Sequence, residues 1–125
     1  MGVIEMTMKE ANETYQIPLD ILKQYEKWNL CKGTKKVTGM WQYDDGDLER
    51  LGTIVTLYEI GFSNNEVEHY MRLSVCETDT TEKRMQILTQ KREQMLDKIH
   101  FYEKRLEQLD YLRYSIDKIT HTKYN

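Results

Sequence analysis

The chain has 125 residues, of which 39% are hydrophobic and 31% charged, with a formal net charge of −3. This length fits one domain, or a small domain with one long appended element. No run of about 18 apolar residues occurs, which excludes a membrane-spanning helix, and the first ten residues lack the basic and apolar regions of a secretory signal. We therefore expect a cytoplasmic protein that is not a generic, strongly basic nucleic-acid binder.

The N-terminal segment predicts two short helices joined by a tight turn. Thr7 followed by Glu10 is a capping-box pattern and predicts a helix from Met8 to Tyr15. Pro18 is suited to the first turn of a second helix that extends to Trp28. Apolar residues spaced by three and four give this helix one buried face: Leu19, Leu22 and Tyr25, with Ile21 and Trp28 as further candidates. Two such helices are typical of a helix-turn-helix.

The next segment predicts a β-hairpin with a basic tip. Residues 31–39 are rich in turn-forming residues and lysine, and residues 40–43 are short and β-prone. In a helix-turn-helix domain, a hairpin at this point of the chain would be a wing.

Two further helices should follow the hairpin. The first begins near Asp45 or Asp47 and ends at Ile60, where Gly61 is placed as a C-cap. The acidic residues around its start favour the positive end of a helix dipole. The second begins after Ser63 as N-cap, and residues 74–81 are predicted to be a polar connector.

Residues 82–119 contain neither glycine nor proline and predict one long helix. At 1.5 Å per residue it would be about 57 Å long, too long for a small N-terminal domain to cover. Apolar residues recur in heptads, which predicts a partner helix and a dimer. The seam residues are Met85, Leu88, Met95, Ile99, Tyr102, Leu106, Leu109 and Ile116. Residues 120–125 are expected to form a tail.

An ordered series of short motifs is similar to the DNA-binding domain of the MerR family. Residues 8–11 resemble the first helix of that family, and residues 20–27, DILKQYEK, resemble its recognition helix. The sequence TGMWQY at 38–43 resembles the wing, and DLERL and EIGFS resemble two later motifs. The resemblance implies a mainly α fold: a winged helix-turn-helix over 1–73, a connector over 74–81, a dimerisation helix over 82–119 that pairs as an antiparallel coiled coil, and a tail.

The resemblance also implies a function. Such a protein is not an enzyme but a homodimeric transcription regulator that binds an inverted-repeat operator, distorts the DNA and has RNA polymerase as a second candidate partner. The recognition helix lies in the major groove of double-stranded DNA, and basic residues hold phosphates. The candidate contacts are Lys23, Gln24, Tyr25, Lys27, Lys32, Lys35, Lys36, Trp41 and Tyr43. We expect no cofactor and no metal, since Cys31 and Cys76 are far apart and interpreted as inert thiols.

Two alternatives stay open at this point. Residues 1–70 hold seven basic and twelve acidic residues, a balance of −5, and positions that are often basic in the family are Gly52, Val55 and Thr56. The alternative function is then that of an interaction protein with weakened DNA binding that acts through a protein partner. For Trp41, packing onto the third helix is favoured over contact with DNA. Both Trp41 and Tyr25 are expected to contribute to anchoring the wing and the recognition helix on the body of the domain.

Overall fold

A computed structural model describes residues 6–30, 35–37 and 40–124. The elements are α1 (Met8–Tyr15), α2 (Leu19–Trp28), β1 (Lys35–Val37), β2 (Met40–Gln42), α3 (Asp45–Glu59), α4 (Asn64–Cys76) and α5 (Thr81–Tyr124). The chain divides into two compact units, Met1–Arg84 and Met85–Asn125. The predicted mainly α class, with a small hairpin after two short helices and one long C-terminal helix, is confirmed.

Capping side chains set the starts of three helices in the first unit. Thr7, Asp44 and Ser63 each accept a hydrogen bond from the backbone N–H three residues later, and each receives the reciprocal bond of a capping box. At the other end of α3, Gly61 adopts a φ of 99°. The N–H of Phe62 donates to the carbonyl of Leu57, which closes the helix as a Schellman motif.

The core of the first unit is formed by one apolar face from each helix. Its buried hydrophobic residues are Met6, Ala11, Ile17, Leu22, Tyr25, Trp28, Leu30, Tyr43, Leu51, Ile54, Leu57, Phe62, Val67, Tyr70, Met71 and Leu73. The prediction that Leu19 is buried is wrong, because this residue is the first of α2 and its side chain is 44% exposed. Leu22, Tyr25 and Trp28 do form the buried face of that helix.

The hairpin is antiparallel, with Lys35 opposite Gln42 and Val37 opposite Met40. Its second strand continues into an isolated bridge between Tyr43 and Met6. The N–H of Met6 donates to the carbonyl of Tyr43 at 2.8 Å, and the N–H of Tyr43 donates to that of Met6 at 2.6 Å. The segment just before α1 is therefore bonded to the base of the hairpin.

Two predicted boundaries need correction. Residues 74–76, assigned to a connector, are the last residues of α4, and α5 extends to Tyr124 instead of ending at residue 119. No glycine or proline occurs in either stretch, so nothing in the local sequence stops these helices. The true connection is residues 77–80, where the buried Thr80 donates its hydroxyl to the carbonyl of Leu73 at 2.7 Å.

Cys76, at the end of α4, is half-buried and disulfide-bonded. The interpretation of this residue as an inert thiol is therefore wrong. Cys31, the other cysteine of the sequence, lies outside the described residues.

The second unit is the part of α5 that follows Arg84. The apolar side chains of this part are mostly exposed within a single chain. The exposed members of the predicted seam are Met85, Met95, Ile99, Tyr102, Leu106, Leu109 and Ile116, whereas Leu88 is half-buried. Among the described residues, no helix is long and apolar enough to cross a membrane. Within the same part of the chain, no group of three or more His, Cys, Asp or Glu side chains is arranged to hold a metal ion.

Candidate nucleic-acid interface

Helix α2, the predicted recognition helix, has one buried face and one solvated face. Leu22, Tyr25 and Trp28 point into the core. Lys23 and Lys27 are exposed, and because they are four residues apart they are neighbours on the helix surface. Gln24, beside them, is half-buried. This solvated face presents two cations and one amide, the groups that bind phosphate oxygens and read an adenine edge.

Tyr25 fixes α2 to α3 through its hydroxyl group. The hydroxyl donates to Oδ1 of Asp47 at 2.5 Å and accepts from Nε of Arg50 at 2.9 Å. Burial raises the pKa of Tyr25 to about 12; the bond from Arg50 opposes that shift and the bond to Asp47 adds to it. Because Tyr25 is only 2% exposed and its hydroxyl already bonds Asp47 and Arg50, the predicted phosphate contact of Tyr25 is not retained.

Asp47 is the acceptor at the centre of this cluster. Its carboxylate also accepts from the N–H of Asp44 at 3.0 Å and from Nη2 of Arg50 at 2.7 Å. Burial alone would raise the pKa of Asp47, but the hydrogen bonds from Tyr25, Asp44 and Arg50 outweigh it and hold that pKa below its usual value. At Arg50, burial lowers the pKa of the guanidinium, and the contacts with Tyr25 and Asp47 outweigh it and raise that pKa. Asp47 thus stays ionised although it is buried.

Tyr43 joins the base of the hairpin to α2. Its hydroxyl donates to Oε1 of Glu26 at 2.6 Å, and its ring lies 6.2 Å from that of Tyr25. Burial first, and then the bond to Glu26, raises the pKa of Tyr43 far above its ordinary value. The side chain is fully buried, so Tyr43 positions the hairpin against α2, and its predicted contact with DNA is not retained either.

The C-terminal end of α2 is held from α4. Nη2 of Arg72 donates to the carbonyl of Trp28 at 2.9 Å, and Nε of the same residue donates to Glu68 at 2.8 Å. Asn29, in the left-handed conformation, closes the helix. A cation at the negative end of a helix dipole is favourable, and here it also fixes α2 relative to α4.

The remaining candidates lie in the hairpin region. Lys35 and Lys36 are on β1 and Trp41 is on β2, and the structure describes these three by their backbone only. The Lys36 and Trp41 backbones are paired in the hairpin register. Lys32 lies outside the described residues.

The sequence predicts the solvated face of α2 but not the contacts that position it. Asp47 was interpreted only as a helix cap, and the roles of Arg50, Glu26 and Arg72 were not predicted. Arg50, three residues after Asp47, is the one local signal for the cluster, since residues at this spacing meet on a helix. The links to Glu26 and Trp28 join residues far apart in sequence and have no local signature.

Three positions of α3 at which the resemblance implies basic residues are uncharged. Gly52 and Thr56 are exposed and Val55 is half-buried. From residue 44 to residue 71 the sequence holds seven acidic residues, and its one Lys or Arg is Arg50, which is paired with Asp47. The cations of the candidate interface are therefore confined to α2 and the hairpin region.

Comparison with known proteins agrees with this geometry. Residues 6–74 match a family model described as MerR HTH family regulatory protein. The crystal structure of HiNmlR, a MerR family regulator lacking the sensor domain and bound to promoter DNA, is similar, with a TM-score of 0.66, 22% identity and 86% of each chain covered. A MerR family transcriptional regulator from Bacillus thuringiensis has a TM-score of 0.63 at 18% identity, with 86% of this chain and 95% of that chain covered. No curated protein matches.

Proposed function

Because the chain belongs to the MerR family of regulators, whose members are DNA-binding transcription factors and not enzymes, we propose that it is a sequence-specific transcription regulator. It binds an inverted-repeat operator as a homodimer and acts by distorting the promoter DNA. Double-stranded DNA is its main partner, RNA polymerase is a second one, and the cytoplasm is its place of action.

The observation that carries this proposal is the solvated face of α2. Lys23 and Lys27 lie next to each other on it, while the opposite face is fixed by Tyr25 to α3 and by Arg72 to α4. A recognition helix must be rigidly presented, because phosphate contacts set its register on the duplex. Glu26 and Tyr43 hold the base of the hairpin beside this helix, which supports use of the two elements together.

Each candidate residue then has a distinct role. Lys23, Lys27, Lys32, Lys35 and Lys36 contact phosphates, and Gln24 forms a bidentate pair with an adenine in the major groove. Trp41 anchors the hairpin on the body of the domain. Tyr25 and Tyr43 act indirectly, since they hold α2 and the hairpin in place.

The test is a fluorescence binding titration against selected and random duplexes over a range of salt concentrations. Log affinity should fall linearly with log salt, by a slope of about 0.9 for each phosphate contact. Lys23→Ala should weaken binding to all duplexes and make the slope shallower by about one contact per subunit. Lys104→Ala is the matched control, because this exposed lysine of α5 lies off the predicted seam.

Gln24→Ala should relax the base preference at one position per half-site and leave the salt slope unchanged. If no duplex is bound even at low salt, the regulator proposal falls. The second candidate, an interaction protein with weakened DNA binding, then takes its place; the acidic balance of residues 1–70 favours it.

A further inference from the structure

A groove in the first unit lies between the end of α1 and one face of α3. We call it the α1–α3 groove; its lining residues are Tyr15, Gln16, Ile17, Leu48, Gly52 and Val55, and its volume is about 260 Å³. That is just below the range of about 300–1,000 Å³ that is usual for small-molecule sites. Leu48 and Val55 are half-buried and Tyr15 is 50% exposed, so apolar surface remains open to solvent here.

Gly52 makes this groove unusual. Glycine in the interior of an exposed helix is less favourable than alanine, yet among the described residues nothing lies within 4 Å of the Cβ that an alanine would add. No contact inside the described chain therefore requires glycine at this position. Glycine in a helix does allow another molecule to approach the backbone closely.

The surroundings of the groove are acidic. Asp45, Glu49 and Glu59 are exposed on α3 at one helical turn from Leu48, Gly52 and Val55, respectively. In α1 and the start of α2, Glu10, Glu13 and Asp20 are exposed, and Lys9 and Lys23 flank them. The negative charge of the acidic residues on α3 repels a phosphate backbone and attracts cations.

We propose that the α1–α3 groove binds a basic amphipathic helix of a partner protein. An apolar side chain of that helix enters the groove over Gly52, and flanking lysines or arginines pair with Asp45, Glu49 and Glu59. This is the helix-in-groove mode, in which a few apolar anchors supply affinity and charge complementarity supplies selectivity. The inference goes beyond the proposed function and does not depend on DNA binding.

The test uses a synthetic helical peptide with leucine on one face and lysine on the other, labelled with fluorescein. A peptide of the same pattern with glutamate in place of lysine is the charge control. Anisotropy is measured with the full chain and with Gly52→Leu, which adds a large apolar side chain at the groove from a position where a Cβ meets nothing within 4 Å among the described residues. Gly52→Ala is the matched control, and circular dichroism checks the fold of each variant.

We expect the lysine peptide to bind the wild-type chain and the glutamate peptide to bind much more weakly. Gly52→Leu should weaken lysine-peptide binding by about tenfold or more, the loss expected when one apolar anchor of about 1.5–3 kcal/mol is excluded. Gly52→Ala should retain binding within about twofold, since a methyl group occupies little of the groove. The double variant Glu49→Lys, Glu59→Lys should weaken binding and reduce its salt dependence.

Three results would overturn the proposal. Undiminished lysine-peptide binding by Gly52→Leu would place the peptide elsewhere, such as on α5. Competition by duplex DNA, together with loss of DNA binding in Gly52→Leu, would assign the groove to nucleic acid. A change in the sedimentation coefficient of Gly52→Leu would assign it to a second copy of the chain.

Discussion

At the scale of single residues, Asp47 connects more of the first unit than any local pattern suggests. It caps α3 together with Asp44, accepts the hydroxyl of Tyr25 and pairs with Arg50. The side chain of Asp47 is 3% exposed and that of Arg50 is 20% exposed. A buried carboxylate is tolerated only when it is paired and fully hydrogen-bonded, and each of these partners helps to meet that requirement.

We expect Asp47→Asn to destabilise the fold strongly. The amide keeps one acceptor oxygen but presents an NH₂ group to the N–H of Asp44 or to Arg50, and breaking a buried ion pair costs about 3–5 kcal/mol. Urea denaturation at a fixed protein concentration should show this loss as a lower midpoint. Because α2 is tied to α3 through Tyr25, the variant should also bind DNA less well.

Tyr25→Phe is the matched comparison for Asp47→Asn. It removes the two hydrogen bonds of the hydroxyl, one to Asp47 and one from Arg50, but it leaves the Asp47–Arg50 ion pair intact, so that no buried charge loses its counter-ion. The free energy of unfolding should therefore fall less than in Asp47→Asn. Equal losses in the two variants would show that the hydroxyl, and not the carboxylate, is the centre of the cluster.

At the scale of secondary-structure elements, α3 has a glycine at a position that its own packing does not need. Gly52 is exposed in the middle of the helix, and a Cβ added there would have nothing within 4 Å among the described residues. Helix propensity alone disfavours this residue. The loss of helix stability is confined to α3, because Leu51 and Ile54, which are close to Gly52 in the helix, are buried and face the core.

Gly52→Ala should therefore stabilise the first unit by about 1 kcal/mol. A thermal melt followed by circular dichroism should show the gain as a rise in Tm. Gly46→Ala serves as the contrasting variant, because a Cβ there lies 3.2 Å from Arg50 and 3.3 Å from Asp44. If Gly52→Ala lowered the Tm, the backbone of α3 would need glycine for a reason that its described contacts do not contain.

At the scale of the whole molecule, α5 leaves a long apolar seam on the surface of a single chain. Leu106 and Leu109, in the second half of the helix, are 58% and 56% exposed. Tyr111, Leu112 and Ile119 lie off the predicted heptad and are exposed as well. Exposed apolar surface of this extent marks an interaction site in a soluble protein, and a helix with this repeat favours a second helix.

We expect Leu106→Asp to dissociate the proposed homodimer. A carboxylate buried in the seam without a partner costs several kcal/mol, whereas Leu106→Met keeps the volume and apolar character and should preserve the dimer. Sedimentation velocity at micromolar concentration distinguishes the two states. A wild-type monomer, or a Leu106→Asp variant that remains dimeric, would contradict the predicted seam.

The sequence by itself determined the elements of this protein, because their signals are local. Capping boxes at Thr7 and Ser63, the left-handed Gly61 and the apolar periods of α2 and α4 depend on residues within one or two turns of each other. Where a prediction failed locally, as at residue 19, the residue stood at a helix end, where the apolar period is a weak guide to burial.

Only the tertiary structure decided what these elements do together. The bonds from Tyr25 to Asp47, from Tyr43 to Glu26 and from Arg72 to Trp28 span 22, 17 and 44 residues. They turn two tyrosines predicted to touch DNA into supports for α2 and the hairpin. No pattern in the sequence encodes such pairs, because hydrogen-bond partners between distant segments are chosen by the packing of helices, and that packing also forms the groove over Gly52.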